Sequence, residues 1–491
     1  MLSQQAFLKF YGRPLVVITG CCNRSLNCRD RGRSKNKKQW SKHFFKQQKR
    51  RRDNQLRAKA SKEVAYEMSK MISHHFPDFY QRLREVVDPR HYGQYGIDEI
   101  IFGGISLFLF KCGSRNVLDN LMEEKRFRKN FNRLFGLRLP KMDTVAGVLK
   151  MLDESALEDL KVHLVKVLLS KRVFDKWRHQ GALMVAIDGT GIASFDHRHC
   201  DRCLVKTSKN GKSVWFHNVL EAKLVTTNGF SISLATEWIE NPGREYDKQD
   251  CEQKAFPRLA AKLKTMFPRL AICICADGLY PNNTFFTICR AYEWNYIVTL
   301  EDGNLKTFWQ TIRPLKKESK ERHIHEGSYD YIQQFQWLNQ VDFKGFPYNW
   351  LQLNEQVIDQ SAKSKSKRKF AYLTNFPLTE ENIGLISDHG RLRWKIENEG
   401  FDQQKNHGYD ICHKYCRNSY RGMKNFYQCC QIAHMINQLV ELTRDFQERL
   451  TKKKTYMHLW IELVAFMIYG YVSTFAVKAI HSHKYQMQYI E

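Results

Sequence analysis

The chain has 491 residues, 43% of them hydrophobic, and its 79 Lys and Arg against 51 Asp and Glu give a formal charge of +28. That length predicts about two to four domains, with enough apolar residues for real cores. A soluble enzyme of small anions rarely carries so much positive charge. Nucleic acid is the expected partner, because neutralising its phosphates releases counterions; an anionic membrane surface or an RNA of ribosomal type are the alternatives.

The 14 cysteines are scattered rather than spaced as a small disulfide framework, which predicts a reducing, cytoplasmic setting. Near the N-terminus Pro14–Thr19 is apolar but lacks a cleavage region, so no signal peptide is expected. Residues 1–60 are expected to be a poorly ordered basic arm. Arg29 to Lys59 is dense in Lys and Arg, with Lys49, Arg50, Arg51 and Arg52 the densest run and Trp40, Phe44 and Phe45 interleaved. Such an arm suits DNA-backbone binding, and a solvated tail has the same composition.

Residues 61–180 read as a helical domain, either DNA-binding or a plain support, with no single helix-turn-helix standing out. Asp88-Pro89 breaks an early helix, Ile100 to Phe110 is apolar enough to be buried, and Asp143 or Thr144 is the expected N-cap of a restarted helix. Leu157 to Leu169 has apolar residues at helical spacing.

At Leu183 the period changes. Leu183–Thr190 reads as a buried strand ending in Asp188-Gly189 and followed by a turn. Val214 to Val225 and Phe230 to Glu237 flank Asn228-Gly229, a hairpin signal. A helix runs from Asp250 to about Met266, a second buried strand from Leu270 ends in Asp277-Gly278, and a helix from Asn283 and a strand at Tyr296–Leu300 follow. Three strands, helix, strand, helix, strand is similar to the order of the RNase H fold. The expected class is therefore α/β: an RNase H-like mixed sheet (181–302 and 385–418), interrupted by a β-rich insertion (303–384) and followed by C-terminal helices (419–491). Within the insertion Tyr329–Trp337, Trp350–Leu353 and Phe370–Thr374 read as strands, and the Lys/Ser run Ser361–Lys369 as a loop. Leu459–Val477 is barely long enough to span a membrane and contains Glu462, so a buried helix is expected there.

The chemistry concentrates in three acids. Carboxylates at the ends of neighbouring strands, Asp188 and Asp277, can converge with a helical Glu397. Together they can hold two Mg²⁺ or Mn²⁺ ions for in-line displacement at phosphorus. On the helix Arg391–Phe401, Arg393 and Glu397 share a face, with Lys405 not far off it. Alone, that pair is also what a surface ion pair looks like. With the two aspartates, Glu397 reads as the third metal ligand and Arg393 as a phosphate contact or an orienter of Glu397.

On these residues the chain resembles the DDE transposases of bacterial insertion sequences, of the IS-four type with a β-rich insertion, over about Leu183 to Leu439. The family's signature is Tyr, two residues, Arg, three residues, Glu, six residues, Lys. Arg393 and Glu397 fit it, Gly390 stands at the tyrosine position and Gln404 at the lysine position, with Lys405 beside it. The resemblance implies a cut-and-paste transposase with a two-ion site on Asp188, Asp277 and Glu397. It also implies double-stranded DNA (transposon ends and target) as partner, a homodimer in the synaptic complex, and a base-stacking role or a packing role for Trp394. A nuclease or resolvase without strand transfer, or a domesticated DNA-binding protein, are the alternatives. Separately, Cys200 and Cys203 form a CxxC and Cys412 and Cys416 lie beyond the catalytic helix; together they offer a structural zinc set, or else two polar loops.

Overall fold

Residues 46–55 and 63–491 are described in the computed structural model of the protein. The chain divides into two units, 1–55 and 56–491. In the first, 46–55 is helical and holds the Lys49–Arg52 run exposed, so this part of the basic arm is ordered where an unstructured arm was expected. Trp40, Phe44, Phe45 and Pro14–Thr19 lie outside the described residues.

The second unit opens with helices: α1 (Val64–His75), α2 (Phe79–Glu85), α3 (Ile97–Leu109), α4 (Arg115–Glu123), α5 (Lys125–Phe135), α6 (Met142–Leu149) and α7 (Ala156–Ser170). Apolar on nearly every side, α3 is buried almost throughout. Its neighbour α6 begins two or three residues before the expected caps. Lys141 is the N-cap residue, and Asp143 lies inside the first turn, where a negative charge is favoured by the helix dipole.

The strands β1 (Leu183–Phe195), β2 (Leu204–Thr207), β3 (Ser213–Val225), β4 (Ser231–Ile239), β5 (Ile272–Ala276), β6 (Asn295–Thr299), β7 (Glu318–Glu326), β8 (Tyr329–Phe343), β9 (Phe346–Asp359) and β10 (Ser364–Thr374) form one mixed ten-stranded sheet. Between them run α8 (Glu252–Met266), α9 (Asn283–Ala291) and α10 (Lys306–Ile312). Its order is β2-β3-β1-β5-β6-β10-β9-β8-β7, with β4 also on β3. β1, β3 and β4 are antiparallel; β5 lies parallel to β1 and β6 parallel to β5, each reached through a helical crossover. The Asn228-Gly229 turn closes β3 on β4 as expected, with Gly229 at φ +103°, a region that glycine enters freely.

β1 does not stop at Asp188. It continues to Phe195 because β3 pairs with it as far as Trp215, whereas the parallel pairing to β5 ends at Ala186–Cys275. The strand is longer than its apolar run, and Asp188 lies just beyond the edge of its parallel neighbour. The expected insertion extends the same sheet through β10 on β6, and most of the Ser361–Lys369 segment is strand. A polar composition alone reads as loop. Here Ser364–Lys369 is held by register to Asn354–Asp359 across a tight hairpin.

After the sheet come α11 (Ile383–Arg391), a wide π-helical turn (Ile396–Asp402), α12 (Gln403–Asn406), α13 (Tyr420–Glu441), α14 (Arg444–Gln447), α15 (Tyr456–Tyr469) and α16 (Thr474–His481). Nearly all of α13 is buried, although its sequence is only half apolar, because its amides are used internally. Asn425 Nδ2 donates to the Leu149 and Leu152 carbonyls at 2.9 and 3.0 Å, and Gln404 and Gln431 exchange amide hydrogen bonds. The Leu459–Val477 segment is broken between α15 and α16, and among the described residues no helix is long and apolar enough to cross a membrane.

Candidate active site

The alternation of β1 decides which face Asp188 takes. Leu183, Val185 and Ile187 enter the core on one side of the sheet, while Met184 and Ala186 enter the core on the other, with Cys273, Cys275, Ile386 and Ile396. Side chains two apart on a strand share a face. Asp188 therefore follows Met184 and Ala186 onto the side covered by α11 and the π-helical turn, while Asp277 stands one residue past the end of β5. Glu397 lies on the π-helical turn.

The helix expected over Arg391–Phe401 is not continuous. It loosens at Leu392-Arg393 and rewinds as the π-helical turn, a form that recurs at functional positions. The Arg393–Glu397 pair survives this change: the guanidinium hydrogen-bonds the Glu397 carboxylate, and its Nη1 is also 3.9 Å from Asp188 Oδ2. Arg393 thus lies between two of the predicted ligands, largely buried at 13% side-chain exposure against 46% for Glu397. The oxygens of Asp188, Asp277 and Glu397 do not form a group within 4.8 Å of one another.

Asp188 is a strained carboxylate. Burial pushes its pKa up to about 7, with Glu397 and Glu252 raising it further and the Gly189 amide and Arg393 opposing. Glu252, in the first turn of α8, is a fourth member of the cluster that the sequence reading missed. Its carboxyl sits where a Cβ on Gly189 would be. Its pKa is raised by burial and by the charge of Asp277, and it lies beside the buried Tyr280 hydroxyl. Helix-start position was the only local signal, and that position is equally explained by the dipole. Asp277 is held by its own turn, Oδ1 accepting the Leu279 N–H at 2.9 Å.

Gly390 explains itself. A Cβ there would stand 2.5 Å from Tyr372 Cε1 and 2.7 Å from Cζ, so the ring of Tyr372, arriving from β10, fills the space beside the position where the family signature has its tyrosine. Gly390→Ala is expected to cost about 1–3 kcal/mol by overpacking, measured by denaturant unfolding, and Tyr372→Leu in the same chain should recover part of it. At the signature's lysine position Gln404 is fully buried against Gln431, and Lys405 beside it is half-buried.

Trp394 is 39% exposed and lies edge-on to Phe370 at 5.8 Å. Phe370 also receives Arg391 over its ring at 4.4 Å. From Phe370 the β9–β10 hairpin runs outward with Lys365, Lys367 and Arg368 exposed. A cleft of about 540 Å³ opens behind the π-helical turn, lined by Lys395, Glu399 and Gln403 among others, and includes none of the three predicted ligands.

The four cysteines do not converge as a set. Cys200 and Cys203 lie together with His199 and His217. Cys412 instead donates to the Gly191 carbonyl at 3.5 Å, and Cys416 packs against Gly422. No protein-family model and no curated protein sequence matches the chain.

Proposed function

We propose that the protein is a DDE-type DNA transposase, with an RNase H-like core in which Asp188, Asp277 and Glu397 hold Mg²⁺ or Mn²⁺. The observation that carries this reading is the meeting of Asp188 with the turn that bears Glu397, bridged by Arg393, on a strand whose parallel neighbour β5 runs into Asp277. The strand order β4-β3-β1-β5-β6, with its one antiparallel and one parallel half, is what an RNase H-like core requires.

An all-oxygen donor set with Glu252 alongside and one arginine for counter-charge suits a hard divalent cation, which would offset the charge that burial disfavours on Asp188 and Glu252. When bound, two such ions supply activation of the attacking oxygen and stabilisation of the leaving one. The protein's own part is to hold the acids and to use Arg393. In the free protein Arg393 neutralises Asp188 and Glu397; a DNA phosphate competes for the guanidinium and frees both carboxylates to turn inward. The charge of +28, the exposed Lys49–Arg52 helix and the basic β9–β10 hairpin running up to Trp394 suit a duplex backbone. Synapsis of two transposon ends would need a homodimer.

The test begins with a search for inverted repeats flanking the gene, which the proposal requires, and uses DNA that carries them. Mg²⁺-dependent cleavage at the repeat ends and joining of pre-cleaved ends to target DNA are expected, with both lost in Glu397→Gln. Cleavage without joining would make the protein a nuclease or resolvase, and binding without either would make it a domesticated DNA-binding protein.

A further inference from the structure

The loop after β1 carries a second constellation, independent of the acids. The ligand atoms of His199, Cys200, Cys203 and His217 all lie within 4.8 Å of one another. Cys200 Sγ is 3.6 Å from Cys203 Sγ, and His217 Nε2 is 3.5 Å from the first sulfur and 3.4 Å from the second. A tetrahedral zinc with its usual bond lengths puts two sulfurs about 3.8 Å apart and a sulfur and a nitrogen about 3.6 Å apart. The three measured edges are within a few tenths of an ångström of those values.

The fourth corner falls to His199. Its Nδ1 is buried without a hydrogen-bond partner, while its Nε2 faces the Arg417 carbonyl. A carbonyl on the far nitrogen is how ligating imidazoles are usually oriented. Both rings are also clamped by aromatic faces: His199 stacks on Phe195 at 4.2 Å and His217 on Tyr420 at 3.8 Å. The Cys200–Cys203 turn is preorganised, with the Cys200 N–H donating to Cys203 Sγ at 3.2 Å and Asn241 Nδ2 holding the Cys203 carbonyl at 2.7 Å. His217 is wholly buried in a strand and its Nδ1 has no partner. Without a metal this is two thiols and two imidazoles packed with little to satisfy them.

We infer that His199, Cys200, Cys203 and His217 form a structural Cys₂His₂ zinc site. It fastens the end of β1 to the middle of β3, and through Tyr420 and Arg417 to the start of α13. The set is closed, with four protein ligands and no open position, so its role is structural rather than catalytic. The site stands whether or not the acidic cluster is a transposase centre.

The experiment is elemental analysis of the full chain, expressed without a histidine tag and dialysed against a weak chelator. About one zinc per chain is expected. The Cys200→Ser/Cys203→Ser double variant should lose it, and the Cys412→Ser/Cys416→Ser double variant should keep it. Exchange of the wild-type protein with Co²⁺ should give the intense visible bands of a tetrahedral ion and a sulfur-to-metal charge-transfer band, a readout that does not depend on any variant folding. Three outcomes overturn the inference: substoichiometric zinc with both thiols freely titratable, a Cys200–Cys203 disulfide by mass, or weak octahedral Co²⁺ bands.

Discussion

Asp188→Asn is expected to stabilise the metal-free protein above neutral pH and, on the proposed function, to slow DNA cleavage sharply. Asp188 has its pKa pushed up from 3.8 to about 7, chiefly by burial. A raised carboxyl pKa means the folded state holds a proton that the unfolded state has already released. Wild-type stability should therefore fall as the pH rises from about 4 to about 7, then level off, with the ionised carboxylate costing up to about 4 kcal/mol. Glu252, also raised, adds to the same slope. The asparagine keeps an oxygen for the Gly189 N–H and has no charge to bury. The difference between variant and wild type should be near zero below pH 4 and should grow to its plateau above pH 7.

On the proposed function, Mg²⁺ would supply the missing countercharge. Added at pH 8, it should raise the unfolding midpoint of the wild type, and raise it less in Asp188→Asn. If the ion contributes several kcal/mol to the transition state, end cleavage by the variant should fall by about 10³-fold or more. Thermal unfolding across pH with and without Mg²⁺, beside a cleavage assay, measures both effects. A variant no more stable than wild type at pH 8 would remove the strained carboxylate from the account.

Much of this centre was legible because two signals coincided. Apolar runs ending in Asp-Gly marked β1 and β5, which do lie side by side in parallel. What was not legible depended on partners distant in sequence. The length of β1 beyond Asp188 is set by β3, and the strand character of Ser364–Lys369 is set by β9. Neither is written in local hydrophobicity. The π-helical winding around Glu397 has no sequence marker that a plain helix lacks. Glu252 is an ordinary first-turn glutamate until Gly189 makes room for it. His217 was within reach, since a CxxC followed at Val214–Phe216 by a strand running into a histidine is a recognisable order of ligands. The expectation paired the CxxC with Cys412 and Cys416 instead, because sequence cannot say which loop returns to it.

Lys161→Met is expected to be among the most destabilising single substitutions in the chain, at about 3–5 kcal/mol. Lys161 rises from α7 into the face of β4 with its side chain 1% exposed, donating to Ser233 Oγ at 2.9 Å and Thr236 Oγ1 at 2.8 Å. Those two hydroxyls donate in turn to the fully buried Glu221 at 2.5 and 2.6 Å. Burial lowers the Lys161 pKa, and the charges of Glu158 and Glu221 oppose that fall. Glu158 has a second cation in Lys262 at 3.3 Å, but Glu221 reaches its positive charge through the two hydroxyls. Methionine matches the stem of Lys161 and removes the charge, which leaves the buried Glu221 to rely on Lys223, itself fully buried two residues along β3. Glu221→Gln in the same chain should restore part of the loss, because a neutral amide costs less to bury than a carboxylate that has lost one of its cations. The coupling in that double-mutant cycle should exceed about 1 kcal/mol. Additive effects would mean that the two charges do not sense one another across the hydroxyls.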